Sequence, residues 1–87
     1  MKIKDGYLLR NVADNYIVVA IGQEAIDFNG IITINETGAF LWKILEEGAT
    51  QEELVLKLTE EYDVLEDIAK ADVTSFLNIM NEADLLV

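Results

Sequence analysis

The chain is predicted to be an α+β domain in which an N-terminal antiparallel sheet packs on three C-terminal helices. Three observations carry this. The hydrophobic spacing changes at Asn35, from the alternation of strands to the 3.6-residue recurrence of helices. Turn signals precede that point and helix caps follow it. The chain has 87 residues, 52% of them hydrophobic and none of them proline, which suits one small core with short connections.

Residues 7–13 read as the first strand and residues 16–21 as the second, joined by the turn pair Asp14-Asn15. The second strand is apolar at successive positions, which implies cover on both faces. Gly22 breaks it. Residues 25–28 either extend that strand or form a short one of their own. Asn29-Gly30 is a hairpin signal, because both central residues of a type I′ turn need positive φ. Ile31, Ile32, Thr33 and Ile34 form the last strand. It runs without a loop into the first helix, which Asn35 caps and Glu36 favours in its first turn. Phe40, Leu41, Ile44 and Leu45 make that helix's apolar stripe, with Trp42 at one edge, and Gly48 supplies a left-handed terminus. Thr50-Gln51-Glu52-Glu53 is a capping box, followed by Leu54, Leu58 and Tyr62 at four-residue steps. A third helix is expected from about residue 66 to about residue 83, and Leu85-Leu86-Val87 is an apolar tail that folds back on the body. Strands first and three short-linked helices after them make a winged-helix-like arrangement with its sheet at the N-terminus.

Composition excludes several chemistries. No run approaches the roughly 20 apolar residues of a membrane span, and the first six residues lack a signal peptide's apolar core, so a cytoplasmic protein away from membranes is expected. With no cysteine and no histidine there are no disulfides, thiolate or imidazole ligands, and no Cys or Ser-His nucleophiles. The charge is lopsided. Residues 1–43 sum to −1, with Lys2, Lys4, Arg10 and Lys43 against five acids, whereas residues 44–87 sum to −10, with Lys57 and Lys70 against twelve. That half repels polyanions and attracts basic surfaces. A DNA-binding winged helix would need cations on its recognition helix, so nucleic acid is excluded as a partner.

The acids tempt one to look for catalysis, but Glu46-Glu47, Glu52-Glu53, Glu60-Glu61 and Glu66-Asp67 are neighbours in sequence. Neighbours on a helix point about 100° apart and do not converge, so these read as solvated faces and caps. No metal loop, phosphate-binding glycine loop or nucleophile elbow is present, and neither an enzyme nor a bound metal or cofactor is expected. The third helix is more telling. Ala69, Val73, Phe76, Leu77, Met80 and Ala83 share a core face, and Ile68, Asp72, Ser75 and Ile79 form a second stripe beside it. That stripe either packs on the tail or sheet, or lines a groove with Asp72 and Ser75 as polar contacts.

Ile34-Asn35-Glu36-Thr37-Gly38-Ala39-Phe40-Leu41-Trp42, the Gly48-Ala49-Thr50 turn, Ala71-Asp72-Val73 with Phe76-Leu77, and the closing Leu85-Leu86 together resemble the PqqD family of peptide chaperones, also called RiPP recognition elements. The resemblance runs from the first hairpin to the tail, making residues 1–87 a single peptide-recognition domain. It implies a three-stranded sheet on three helices. It also implies that a precursor's leader peptide binds as an added β-strand and is presented to a modifying enzyme, often a radical S-adenosylmethionine enzyme. Carried onto this sequence, the template strand is Ile31 to Ile34 and the cleft wall is the helix holding Asp72, Val73, Phe76 and Leu77, with Ser75 and Ile79 added by the second stripe. Two departures stand out. Residues 23–29 are longer than the corresponding turn in compact members, and Leu65 replaces the usual polar residue opening the third helix. The alternative is an acidic adaptor that docks on a basic partner without strand addition. An open strand edge also offers pairing to a second copy, a homodimer.

Overall fold

The computed structural model describes residues 1–22 and 31–87. Strands β1 (Tyr7–Val12), β2 (Asn15–Ala20) and β3 (Ile32–Ile34) precede helices α1 (Glu36–Glu47), α2 (Gln51–Tyr62) and α3 (Glu66–Glu82). The sheet is antiparallel in the order β1-β2-β3, so among the described strands β1 and β3 are its edges. The expected strand at residues 25–28 and the Asn29-Gly30 turn lie outside the described residues.

The β1–β2 turn falls at Ala13-Asp14, one residue earlier than expected, because Val12 pairs with Asn15. The register explains the shift. It sets Leu9 opposite Val18 and Asn11 opposite Tyr16, whereas a turn at Asp14-Asn15 would set Asn11 against Val18. Val18 is fully buried, and a polar amide opposite it would lose water without a partner. Among the described residues the two faces of β2 are covered unequally. Val18 faces the helices and is buried, while Ile17 and Val19 on the outer face stay half-buried.

Each helix starts on a side-chain cap or its absence. The Asn35 side chain accepts the Gly38 N–H at 2.8 Å, and Thr50 and Glu53 form both bonds of the capping box. Leu65 opens α3 with no side-chain cap. Gly48 ends α1 at φ 104°, ψ 141°, a glycine conformation outside the expected left-handed helical region.

The core is built around Trp42, which is fully buried together with Leu45, Leu54, Leu58, Val73, Met80 and Leu85. Trp42 is therefore at the centre of the α1 stripe, and Phe40 and Ile44 are at its edge. Phe40 meets Tyr62 of α2 edge-on, with ring centroids 5.5 Å apart. The Trp42 Nε1 has no hydrogen-bond partner among the described residues. The chain ends are tied together. Lys4 N–H donates to Leu85 O at 2.8 Å, Val87 N–H to Lys2 O at 2.8 Å, and Ile3 N–H to Leu45 O at 3.0 Å. The tail thus folds back, with Leu85 in the core.

Candidate functional site

Ile34 ends β3 and Asn35 at once begins α1. Asn35 adopts extended backbone (φ −83°, ψ −178°), and its Oδ1 accepts from the Gly38 N–H and, at 2.9 Å, from the Thr37 hydroxyl. The two bonds hold the end of the strand at a fixed angle to the helix start. α3 comes in alongside, and Gly38 permits the approach. A Cβ there would lie 3.2 Å from Ile34 Cβ, 3.4 Å from Phe76 Cδ1 and 3.1 Å from Asn35 Oδ1.

Between β3, the first turns of α1 and the flank of α3 lies a cleft of about 210 Å³. This is smaller than the roughly 300–1,000 Å³ that accommodates a drug-sized ligand, and it suits a single large side chain. Ile34, Leu41, Phe76 and Ile79 supply apolar lining, Thr33, Asn35, Thr37 and Ser75 are polar, and among the described residues Asp72 is the one charged member of the lining. The free edge of β3 borders it, since β3 pairs only with β2 among the described strands.

Of the residues expected at the site, Thr33, Ile34, Asp72, Ser75, Phe76 and Ile79 meet around this cleft. Ile32 is in β3, half-buried and paired with Val18. Ile31 precedes β3 and is 65% exposed, so the last described strand is three residues long rather than the expected four. Val73 and Leu77 are core residues, at 0% and 6% exposure, and do not line the cleft. Val73 and Leu77 lie on the α3 arc that faces Trp42 and its neighbours, whereas Asp72, Ser75 and Ile79 lie on the exposed flank. Three members of the second stripe of α3, Asp72, Ser75 and Ile79, thus line a groove beside β3, and Ile68 is half exposed. Asn35, Thr37, Gly38 and Leu41 also line the cleft and were not expected there. The glycine in the first turn of α1 was the available signal, since a helix carries one there chiefly for close approach or a cap.

Among the described residues no group of three or more His, Cys, Asp or Glu side chains could hold a metal ion, and no helix is long and apolar enough to cross a membrane.

The family model described as coenzyme PQQ synthesis protein D (PqqD) matches residues 16–86. Among solved structures, the chain is similar to TbiB1 in complex with the TbiA(beta) leader peptide, with 27% identity and a TM-score of 0.75 over 99% of this chain and 94% of that one. It shares its fold with a lasso peptide synthetase B1 complexed with the leader peptide, at 17% identity and a TM-score of 0.71 over 97% and 93% of the two chains. No curated protein matches the chain.

Proposed function

The chain belongs to the PqqD family, and from that premise we propose that it binds the leader peptide of a ribosomally synthesised precursor by β-strand addition and presents it to a modifying enzyme. The observation that carries this is the three-residue β3 edge bordering a side-chain-sized cleft. An edge strand offers unpaired N–H and C=O groups that a peptide backbone satisfies, while alternate side chains turn into the adjoining pocket. TbiB1, of similar fold and length, was solved with a leader peptide.

Magnitudes agree with such a role. A three-residue template supports about two to four backbone bonds, at about 0.5–1.5 kcal/mol each. One apolar anchor buried in the cleft adds about 1.5–3 kcal/mol. Contacts along the exposed flank of α3 must then help offset the ordering of the peptide. The domain contributes recognition and no chemistry. The modification is made by the partner, a radical S-adenosylmethionine enzyme or another peptide-modifying enzyme in the same cytoplasm.

Backbone amide NMR tests the reading, by titration with the leader of the precursor encoded beside this chain. Amides of Ile32, Thr33, Ile34, Asp72, Ser75 and Ile79 should move, and binding should persist in high salt, where docking by surface charge alone weakens. Unmoved β3 amides in a folded sample would sink it.

A further inference from the structure

A second groove, of about 830 Å³, lies between α2 and α3. Val55 and Val64 line it beside Leu56 and Leu65, which are 58% and 73% exposed. At one end Gln51 Nε2 donates to the Thr74 hydroxyl at 3.4 Å, tying α2 to α3. Glu52 and Glu66 are acidic members of the lining, and Lys70, its one cation, is taken up by Glu66 at 3.5 Å. Two features set this groove apart from ordinary surface. Leu65 occupies the N-cap of α3, where a serine or aspartate would stabilise the helix, yet a large exposed leucine stands there with no cap bond. And the groove belongs to the half of the chain whose charge sums to −10.

The groove does not compete with the β3 cleft. Glu66, Lys70 and Thr74 face the groove and Asp72, Ser75 and Ile79 face the cleft, arcs centred about 170° apart on a helix of 3.6 residues per turn. Occupants of the two would be separated by little more than one helix, about 10–12 Å across.

We propose that the α2–α3 groove docks a partner segment whose apolar side chains are flanked by lysine or arginine, and that this partner is the enzyme acting on the peptide held at β3. The identity of the partner rests on the leader-binding reading, whereas the chemistry of its docking segment rests on the groove's own lining. Charge complementarity argues against a second copy of this chain, which would bring another net charge of −11 to an acidic surface.

The test uses the full chain, isotope-labelled, and a synthetic amphipathic helix of leucine and lysine, about 14 residues long, beside a scrambled peptide of the same composition. The patterned peptide should shift the amides of Leu56, Thr59, Leu65, Lys70 and Thr74, and should keep doing so at about 0.3 M salt, where purely ionic attraction is screened. Leu65→Ser should weaken its binding roughly tenfold through the lost apolar contact, while raising the melting temperature by supplying the missing cap. Loss of binding with gain of stability cannot be attributed to misfolding. An equal response to the scrambled peptide would overturn the proposal. So would unchanged affinity in Leu65→Ser, shifts confined to β3 and the cleft side of α3, or concentration-dependent self-association that Leu65→Ser abolishes. The leader titration reads β3 and the probe reads α2 and the start of α3, so failure of one reading leaves the signals of the other in place.

Discussion

Gly38 shows how much a single position decides. Replacing glycine by alanine in a helix is ordinarily favourable by about 0.5–1 kcal/mol. Here the added methyl would press on Asn35 Oδ1, Ile34 Cβ and Phe76 Cδ1 at 3.1–3.4 Å. Oδ1 is pinned by two hydrogen bonds and Ile34 is buried, so neither yields easily. Gly38→Ala is expected to lower stability by about 1 kcal/mol in urea denaturation, and to weaken peptide binding by narrowing the cleft. Ala13 makes the opposite case. It sits at φ 55° in the β1–β2 turn, a left-handed conformation that suits glycine. Ala13→Gly should raise the denaturation midpoint by the equivalent of about 0.5–1 kcal/mol, and no change would mean the turn relaxes at no cost. At this scale the capping residues Asn35 and Thr50 were legible, because a cap is a local bond between residues three apart. Val73 and Leu77, which the family motif puts in the helix wall, are buried in the core rather than in the cleft lining, because a motif names neighbours in sequence while burial depends on which arc of the helix meets the core.

Among the elements, α3 lines both the cleft and the groove, and its exposed flank offers the cleaner test. Phe76 is buried, so Phe76→Ala would cost about 3–5 kcal/mol of stability and confuse any binding measurement. Ile79→Asp changes an exposed position lining the cleft. It should weaken leader binding at least tenfold, by putting a charge beside an apolar anchor, while circular dichroism and the melting temperature stay near those of the parent. α2 offers a pH test. Burial first, then the charges of Glu36 and Glu61 and the nearby Tyr16, holds the Tyr62 phenol above its ordinary pKa of 10.0. The folded chain keeps this proton at a pH where the unfolded chain has lost it. The resulting contribution is intact below about pH 10 and is lost as the pH rises through the raised value. Tyr62→Phe keeps the edge-on contact with Phe40 and should flatten the alkaline decline in stability that sets in above about pH 10, as read by denaturant midpoints. An identical decline in both proteins would refute the assignment. The helices were readable because their apolar period repeats over several turns. β3 was overdrawn by one residue because an apolar isoleucine at position 31 looks the same whether or not a neighbouring strand pairs with it.

For the whole molecule, charge is the dominant physical fact. A net charge of −11 on 87 residues, most of it on the helical half, stores self-repulsion that salt relieves. Raising sodium chloride from about 0.05 to about 0.5 M should therefore raise the melting temperature by several degrees. A flat or falling response would mean that the surface acids are already spaced beyond effective repulsion. The same imbalance disfavours polyanions, and it is consistent with the proposed peptide at the −1 sheet half and the proposed basic partner at the α2–α3 groove.

The sequence alone determined the element order, the caps, the absence of thiol and imidazole groups, and the family pattern that spans the chain. Each of these is written in local spacing or in composition, which the chain carries whether folded or not. The tertiary structure decided the rest. It set the β1–β2 register, moved Trp42 from the edge of a stripe to the centre of the core, and divided α3 into a core arc, a cleft flank and a groove flank. Those outcomes depend on which surfaces meet after collapse, and packing is a relation between distant segments that no single stretch of sequence contains.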